Sequence, residues 1–170
     1  IEKVPRLSER VLGEQEAALR ELLRQLQGGD VEKALRRAPI AVPDPDARGS
    51  VDAGSRLNEH NTGYSLADLL RGGGGGVGSV WAGGGDVWEM LRAQYRRMAE
   101  EAVKRGDYRR AAYIWGVLLR DLRTAANVLR AGGRHRDAAV ILRDKLNDPL
   151  GAAACFELAG DFDEAVRLYE

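Results

Sequence analysis

The sequence predicts an all-α protein: a right-handed α-solenoid of antiparallel helical hairpins, repeating about every 27 residues, with a glycine-rich insertion packed along it. Three observations predict this. First, Gly106, Gly133 and Gly160 lie 27 residues apart, and each is followed at the fifth position by alanine (Ala111, Ala138, Ala165). Second, apolar columns hold the same register: Ala99, Ala126 and Ala153; Ala102, Leu129 and Phe156; Ala112, Ala139 and Val166; Ile114, Ile141 and Leu168; Trp115, Leu142 and Tyr169. A unit of this size cannot bury its apolar face alone, so neighbours stack to cover it. Third, the ends of each unit carry capping chemistry. Asp148-Pro149 starts a helix, because aspartate accepts from orphan N–H groups and proline fits the first turn. Asp121 stands in the same place one repeat earlier. Gly160 suits the left-handed residue that closes a helix, and Asp161 with Glu164 forms a capping-box pattern opening the next.

From the N-terminus, residues 8–27 read as a helix capped by Ser8, with Val11, Leu12, Ala18, Leu19, Leu22, Leu23 and Leu26 forming an apolar stripe. Gly28-Gly29 ends it, and a short helix from Val31 to Arg37 follows, stopped by Pro39. Residues 1–38 are thus expected to be a divergent first hairpin. Residues 39–86 read as a Pro/Gly-rich insertion or strap, with one or two helical turns over Ser65–Leu70 ended by Gly72. Asp86 with Glu89 is a second capping box, opening a long helix over 87–105 with Trp88, Leu91, Tyr95, Met98 and Ala102 on one side. Residues 87–170 are the tandem repeats. Glu170 falls partway along a second helix, which predicts that this chain is a piece of a longer protein and that its last face carries apolar surface a neighbour normally covers.

The formal net charge is zero, unevenly spread: residues 87–147 carry 14 basic and 7 acidic side chains, residues 148–170 carry 1 and 6. Such asymmetry guides end-to-end packing or a charged partner, although arginine-rich helix faces are also ordinary solvated surface. The single cysteine excludes an internal disulfide and fits a reducing compartment, so the expected location is cytoplasmic. No apolar run approaches the roughly 20 residues that span a bilayer, so no membrane association is expected.

The glycine tract Arg71–Asp86 invites a phosphate-loop reading, but it ends Gly-Gly-Gly-Asp and lacks the Gly-Lys-Ser/Thr that such a loop needs. It reads instead as a strap, flexible or anchored in a groove by Val77, Val80 and Trp81, since an isolated tryptophan generally packs on something. Asn58–Thr62 gathers polar groups, with no second histidine or cysteine at metal spacing. His135 shares the column of Tyr108 and Phe162, and Cys155 lies in an alanine-rich helix; both read as packing residues. No catalytic constellation stands out, so no enzyme, cofactor or metal is expected. Arg109, Arg110, Arg134 and Arg136 cluster just after the hairpin turns, and stacked repeats would align them along one edge. With Trp81 they are the candidate partner-binding residues, suited to an acidic protein partner, because arginine and aromatic side chains dominate binding hot spots.

The phrase Gly-Asp-aromatic-x-x-Ala, carried by Gly106-Asp107-Tyr108 with Ala111 and by Gly160-Asp161-Phe162 with Ala165, resembles the start of the second helix in tetratricopeptide-type repeats. Gly133-Arg134-His135 departs in the middle, and the period is shorter than that family's roughly 34 residues. It is closer to the irregular helical hairpins that follow β-propellers in coat-type and intraflagellar-transport proteins. The segment Tyr64–Glu170, glycine tract included, also resembles chains of the bacterial MoxR–von Willebrand factor A–β-propeller ternary systems. The resemblance implies a protein-interaction scaffold, with a β-propeller elsewhere in the chain and an associated ATPase; no catalytic residue carries over. The expected function is therefore non-enzymatic protein binding by a repeat segment of a larger multidomain protein. Two other readings stay open: nucleic-acid binding by the basic central repeats, and a structural arm that touches only neighbouring domains. Salt discriminates, because phosphate contacts weaken steeply with ionic strength.

Overall fold

The computed structural model describes residues 4–28, 31–38, 63–71 and 85–170, and among them every element is helical. In chain order these are α1 (Val4–Gly28), α2 (Val31–Arg36), α3 (Leu66–Arg71), α4 (Gly85–Lys104), α5 (Tyr108–Tyr113, continued by a π turn over Ile114–Leu118), α6 (Leu122–Ala131), α7 (His135–Asp144), α8 (Pro149–Ala159) and α9 (Phe162–Tyr169). The chain divides into two compact units. The first takes residues 1–62 and 75–94, the second residues 63–74 and 95–170.

In the first unit α1 packs on α2. Leu19, Leu22, Leu23 and Leu26 are buried on one, Ala34 and Leu35 on the other, with Ala38 buried just beyond. Each fully buried leucine contributes about 1.5–3 kcal/mol of transfer free energy. Helix α1 begins at Val4, so Ser8 lies inside it and is not its N-cap. Proline at the second helical position tolerates this earlier start, since its missing N–H has no intrahelical acceptor there. Glu16–Arg20 and Glu21–Arg24 are ion pairs one turn apart on the exposed side, at 2.6 Å each. The long helix α4 begins at Gly85, which puts Asp86 in its first turn and not at the N-cap, and Glu89 pairs with Arg92 at 2.9 Å in place of a capping box. Of its expected apolar face, Leu91, Tyr95, Met98 and Ala102 are buried, joined by Val87.

In the second unit α5 to α9 pack consecutively, each helix on the next. Their junctions repeat bond for bond. After α4, α6 and α8 the amide N–H of Asp107, Arg134 and Asp161 reaches back to the carbonyl of Ala102, Leu129 and Phe156 at 2.8, 2.8 and 2.9 Å. This six-to-one closure needs a left-handed residue just before it, and Gly106, Gly133 and Gly160 supply it at φ 78°, 72° and 79°. The links after α5 and α7 also match. Leu119 and Leu146 N–H reach Ile114 and Ile141 O at 3.0 and 3.2 Å, and Asp121 and Asp148 N–H reach Trp115 and Leu142 O at 2.8 and 2.9 Å. Arg120 and Asn147 hold left-handed φ of 58° and 49° in the same two places.

The alanine columns read from the sequence lie in the interior of this unit: Ala99, Ala126 and Ala153, with Ala111, Ala138 and Ala165, are all buried. Small side chains let the helix axes approach closely. Cys155 is buried among them, and burial pushes its thiol pKa up. Tyr108 lies across the next turn: a Cβ at Gly132 would stand 2.3 Å from its Cγ, so only glycine admits the ring. One element departs from the expected regular helix. Over Ile114–Leu118 the backbone takes a π turn around Gly116, the kind of local insertion that helices tolerate as single turns.

Candidate interaction surface

The starts of α5 to α9 share one recurring position, the N-cap. Asp107, Asp121 and Asp148 accept from Arg110, Thr124 and Gly151 N–H at 3.3, 2.9 and 2.9 Å. Each satisfies one of the donors that a helix start leaves without an intrahelical partner. Two of the five N-caps behave differently. Arg134 starts α7 and offers no acceptor, and Asp161 starts α9 without bonding its amides. The Asp161–Glu164 capping box therefore does not form. Asp161 Oδ1 accepts instead from Arg136 Nη2 at 2.8 Å, and Glu164 pairs with Arg167 at 3.3 Å and Arg143 at 3.7 Å.

Twice the second residue of a helix reaches the N-cap of the helix two further along the chain: Arg123 of α6 to Asp148 of α8 at 3.4 Å, and Arg136 of α7 to Asp161 of α9 at 2.8 Å. Both pairs are 25 residues apart. The same offset takes Arg109 of α5 to Arg134, so at this rung an arginine stands where the other two have an acid. Arg134 turns to Asp137 of its own helix at 3.9 Å. Arg109 is exposed.

The four candidate arginines thus have three different environments. Arg136 is committed to the rung with Asp161. Arg110 lies with its guanidinium carbon 5.8 Å from the centroid of the Tyr64 ring, a cation–π distance. Arg109 and Arg134 share the rung that lacks an acid. Trp81, with Val77 and Val80, lies outside the described residues, as does Asn58–Thr62. His135 is half-buried at the start of α7, and its Nδ1 has no hydrogen-bond partner among the described residues.

A second surface lies at the far side of α9. Phe162, Val166 and Tyr169 recur at helical spacing and are 65%, 54% and 50% exposed. Their register mates one repeat earlier are His135, Ala139 and Leu142, of which the last two are 0% and 6% exposed. Positions that are buried on α7 are open on α9.

No protein family, curated protein or solved structure matches the chain.

Among the described residues no group of His, Cys, Asp and Glu is placed to hold a metal ion, and no helix is long and apolar enough to cross a membrane. The sequence reading singled out the arginines by clustering and missed the pairings of Arg123 with Asp148 and of Arg136 with Asp161. The signal was present as a spacing: arginine and aspartate stand 25 residues apart at Arg96 and Asp121, Arg123 and Asp148, and Arg136 and Asp161, and the last two pairs are bonded.

Proposed function

We propose that the chain is a non-enzymatic protein–protein interaction scaffold, an α-solenoid of tetratricopeptide-like helical-hairpin repeats forming part of a larger multidomain protein. The observation that carries this reading is the open face of α9. Monomeric proteins rarely leave contiguous apolar surface without a use, and aromatic side chains are the commonest anchors of protein interfaces. Val166 and Tyr169 continue columns that are buried one period earlier, at Ala139 and Leu142, so a helical partner seated there would cover what the equivalent positions of α7 bury. Arg109 and Arg134 add the edge chemistry: a rung lacking its acid is complementary to an acidic side chain of the partner. That partner is another protein or a further domain of the same chain. A β-propeller and an associated ATPase rest on the family resemblance alone, and a cytoplasmic setting rests on the single cysteine. Nucleic acid is disfavoured as the partner because Arg123, Arg136 and Arg143 already face acids of this chain.

Affinity capture tests the reading. The chain and its Phe162→Glu/Val166→Glu variant are presented to lysate of the source organism with and without nuclease, and washed at about 0.5 M salt, where the Debye length falls to a few ångströms. Proteins retained by the parent, insensitive to nuclease and lost with the variant support it. Retention that disappears with nuclease, or is identical for both chains, overturns it.

A further inference from the structure

The second unit holds a segment that enters it from the insertion. Helix α3 has six residues, far fewer than the roughly 12–15 that an isolated helix needs to persist in water. Its order is supplied locally and by docking. Locally, Ser65 and Asp68 cap each other: Ser65 N–H and Oγ donate to Asp68 Oδ2 at 3.0 and 2.8 Å, and Asp68 N–H donates to Ser65 Oγ at 3.2 Å. This reciprocal pair closes both ends of the first turn.

Docking uses two anchors. Leu69 is 2% exposed, and its Cδ2 lies 2.9 Å from where a Cβ of Gly116 would stand. Leu122 Cδ2 and Ala125 Cβ line the same spot at 3.2 and 3.3 Å. The glycine at the π turn therefore opens a pit between α5 and α6, and one leucine methyl fills it. Tyr64 is the second anchor. Its backbone is held at φ 51°, its ring meets Tyr113 edge-on at 5.3 Å and 71°, and Arg110 lies beside it. A short motif that becomes helical by inserting one leucine and one aromatic ring into a preformed groove is a recurrent mode of peptide recognition.

We propose that the groove formed by α5, the Gly116 π turn and α6 is a receptor for a short capped helix of the pattern aromatic–Ser/Thr–x–x–Asp/Glu–Leu, and that α3 is its tethered occupant, displaced by a partner carrying that pattern. The groove is distinct from the α9 face and does not depend on it. Tethering gives α3 an effective concentration on the order of millimolar, so a free helix competes poorly until the tethered one is weakened.

The test uses the full chain and a fluorescein-labelled peptide of residues 63–71. Binding is read by anisotropy to the parent, to Leu69→Ala and to Tyr64→Ala, with far-UV circular dichroism as the check on folding. The expected result is that at least one variant keeps the helical signal and binds the peptide about ten-fold or more tighter than the parent, the amount by which removal of a tethered competitor lowers the apparent Kd. The same peptide with its own leucine anchor replaced by alanine binds none of the chains. Equal or absent binding across folded chains overturns the proposal. So does loss of the helical signal in both variants, which makes α3 part of the core. A Phe162→Glu/Val166→Glu background leaves peptide binding unchanged, which separates this groove from the α9 face.

Discussion

Arg136 Nη2 and Asp161 Oδ1 meet at 2.8 Å between α7 and α9, and Asp161 makes no bond to the amides of α9. Its counterpart Asp148 does both jobs, receiving Arg123 at 3.4 Å on Oδ2 and Gly151 N–H at 2.9 Å on Oδ1. The two aspartates should therefore differ when removed. Asp148→Ala loses a cap worth about 1 kcal/mol, whereas Asp161→Ala loses only an exposed ion pair worth about 0.2–1 kcal/mol. Urea midpoints of the two variants measure the difference, and Asp161→Ala is expected to be the milder.

The rung formed by Arg109 and Arg134 makes the opposite prediction. Arg134→Asp supplies α7 with the capping acceptor that α5, α6 and α8 have, and gives Arg109 an acid at the 25-residue offset seen in the other rungs. Stability should rise by about 1 kcal/mol, read from the denaturation midpoint at unchanged slope. Binding of an acidic partner at that edge should fall in the same variant.

Gly132 is fixed by its neighbour and not by its own backbone, since its φ is −83°. Gly132→Ala drives a methyl into the Tyr108 ring, and overpacking of this kind costs about 1–3 kcal/mol. In the Tyr108→Ala background the added cost of Gly132→Ala should largely vanish. A double-mutant cycle with no coupling between the two sites would refute the contact.

Tyr113 links stability to alkaline pH. Burial, with Asp68 adding to it, pushes its hydroxyl pKa up to about 12, and burial likewise raises Tyr95. A raised tyrosine pKa means that the fold holds the neutral form. That contribution is complete below about pH 10, the ordinary tyrosine value, and is lost as pH climbs through about 12. Thermal unfolding temperature should drop steeply over that window, and Tyr113→Phe should flatten the drop.

Much of the helical framework was legible because its determinants are local. Gly106, Gly133 and Gly160 announce left-handed closures, and Asp121 and Asp148 announce helix starts, each within four residues of the groups it serves. The buried alanine columns followed from the same period. Ser8 and Asp86 misled because capping is a competition: α1 runs about a turn before Ser8, and α4 begins one residue before Asp86. Asp161 misled because its carboxylate meets Arg136 of α7 and makes no bond to the amides of α9. The π turn was not visible, since Gly116 sits in an apolar run that reads as plain helix, and its meaning depends on Leu69, distant in sequence. The candidate edge was half legible: clustering found the arginines, but only their partners distinguish Arg136 from Arg109.

The bond-for-bond recurrence of the junctions has a genetic consequence. Residues 121–147 begin and end on chemically equivalent atoms, with Asp121 and Asp148 bonded to Trp115 and Leu142 in the same way. A duplication or excision of that block would rejoin the chain at a junction of the same geometry, and the block carries one left-handed glycine, Gly133, with it.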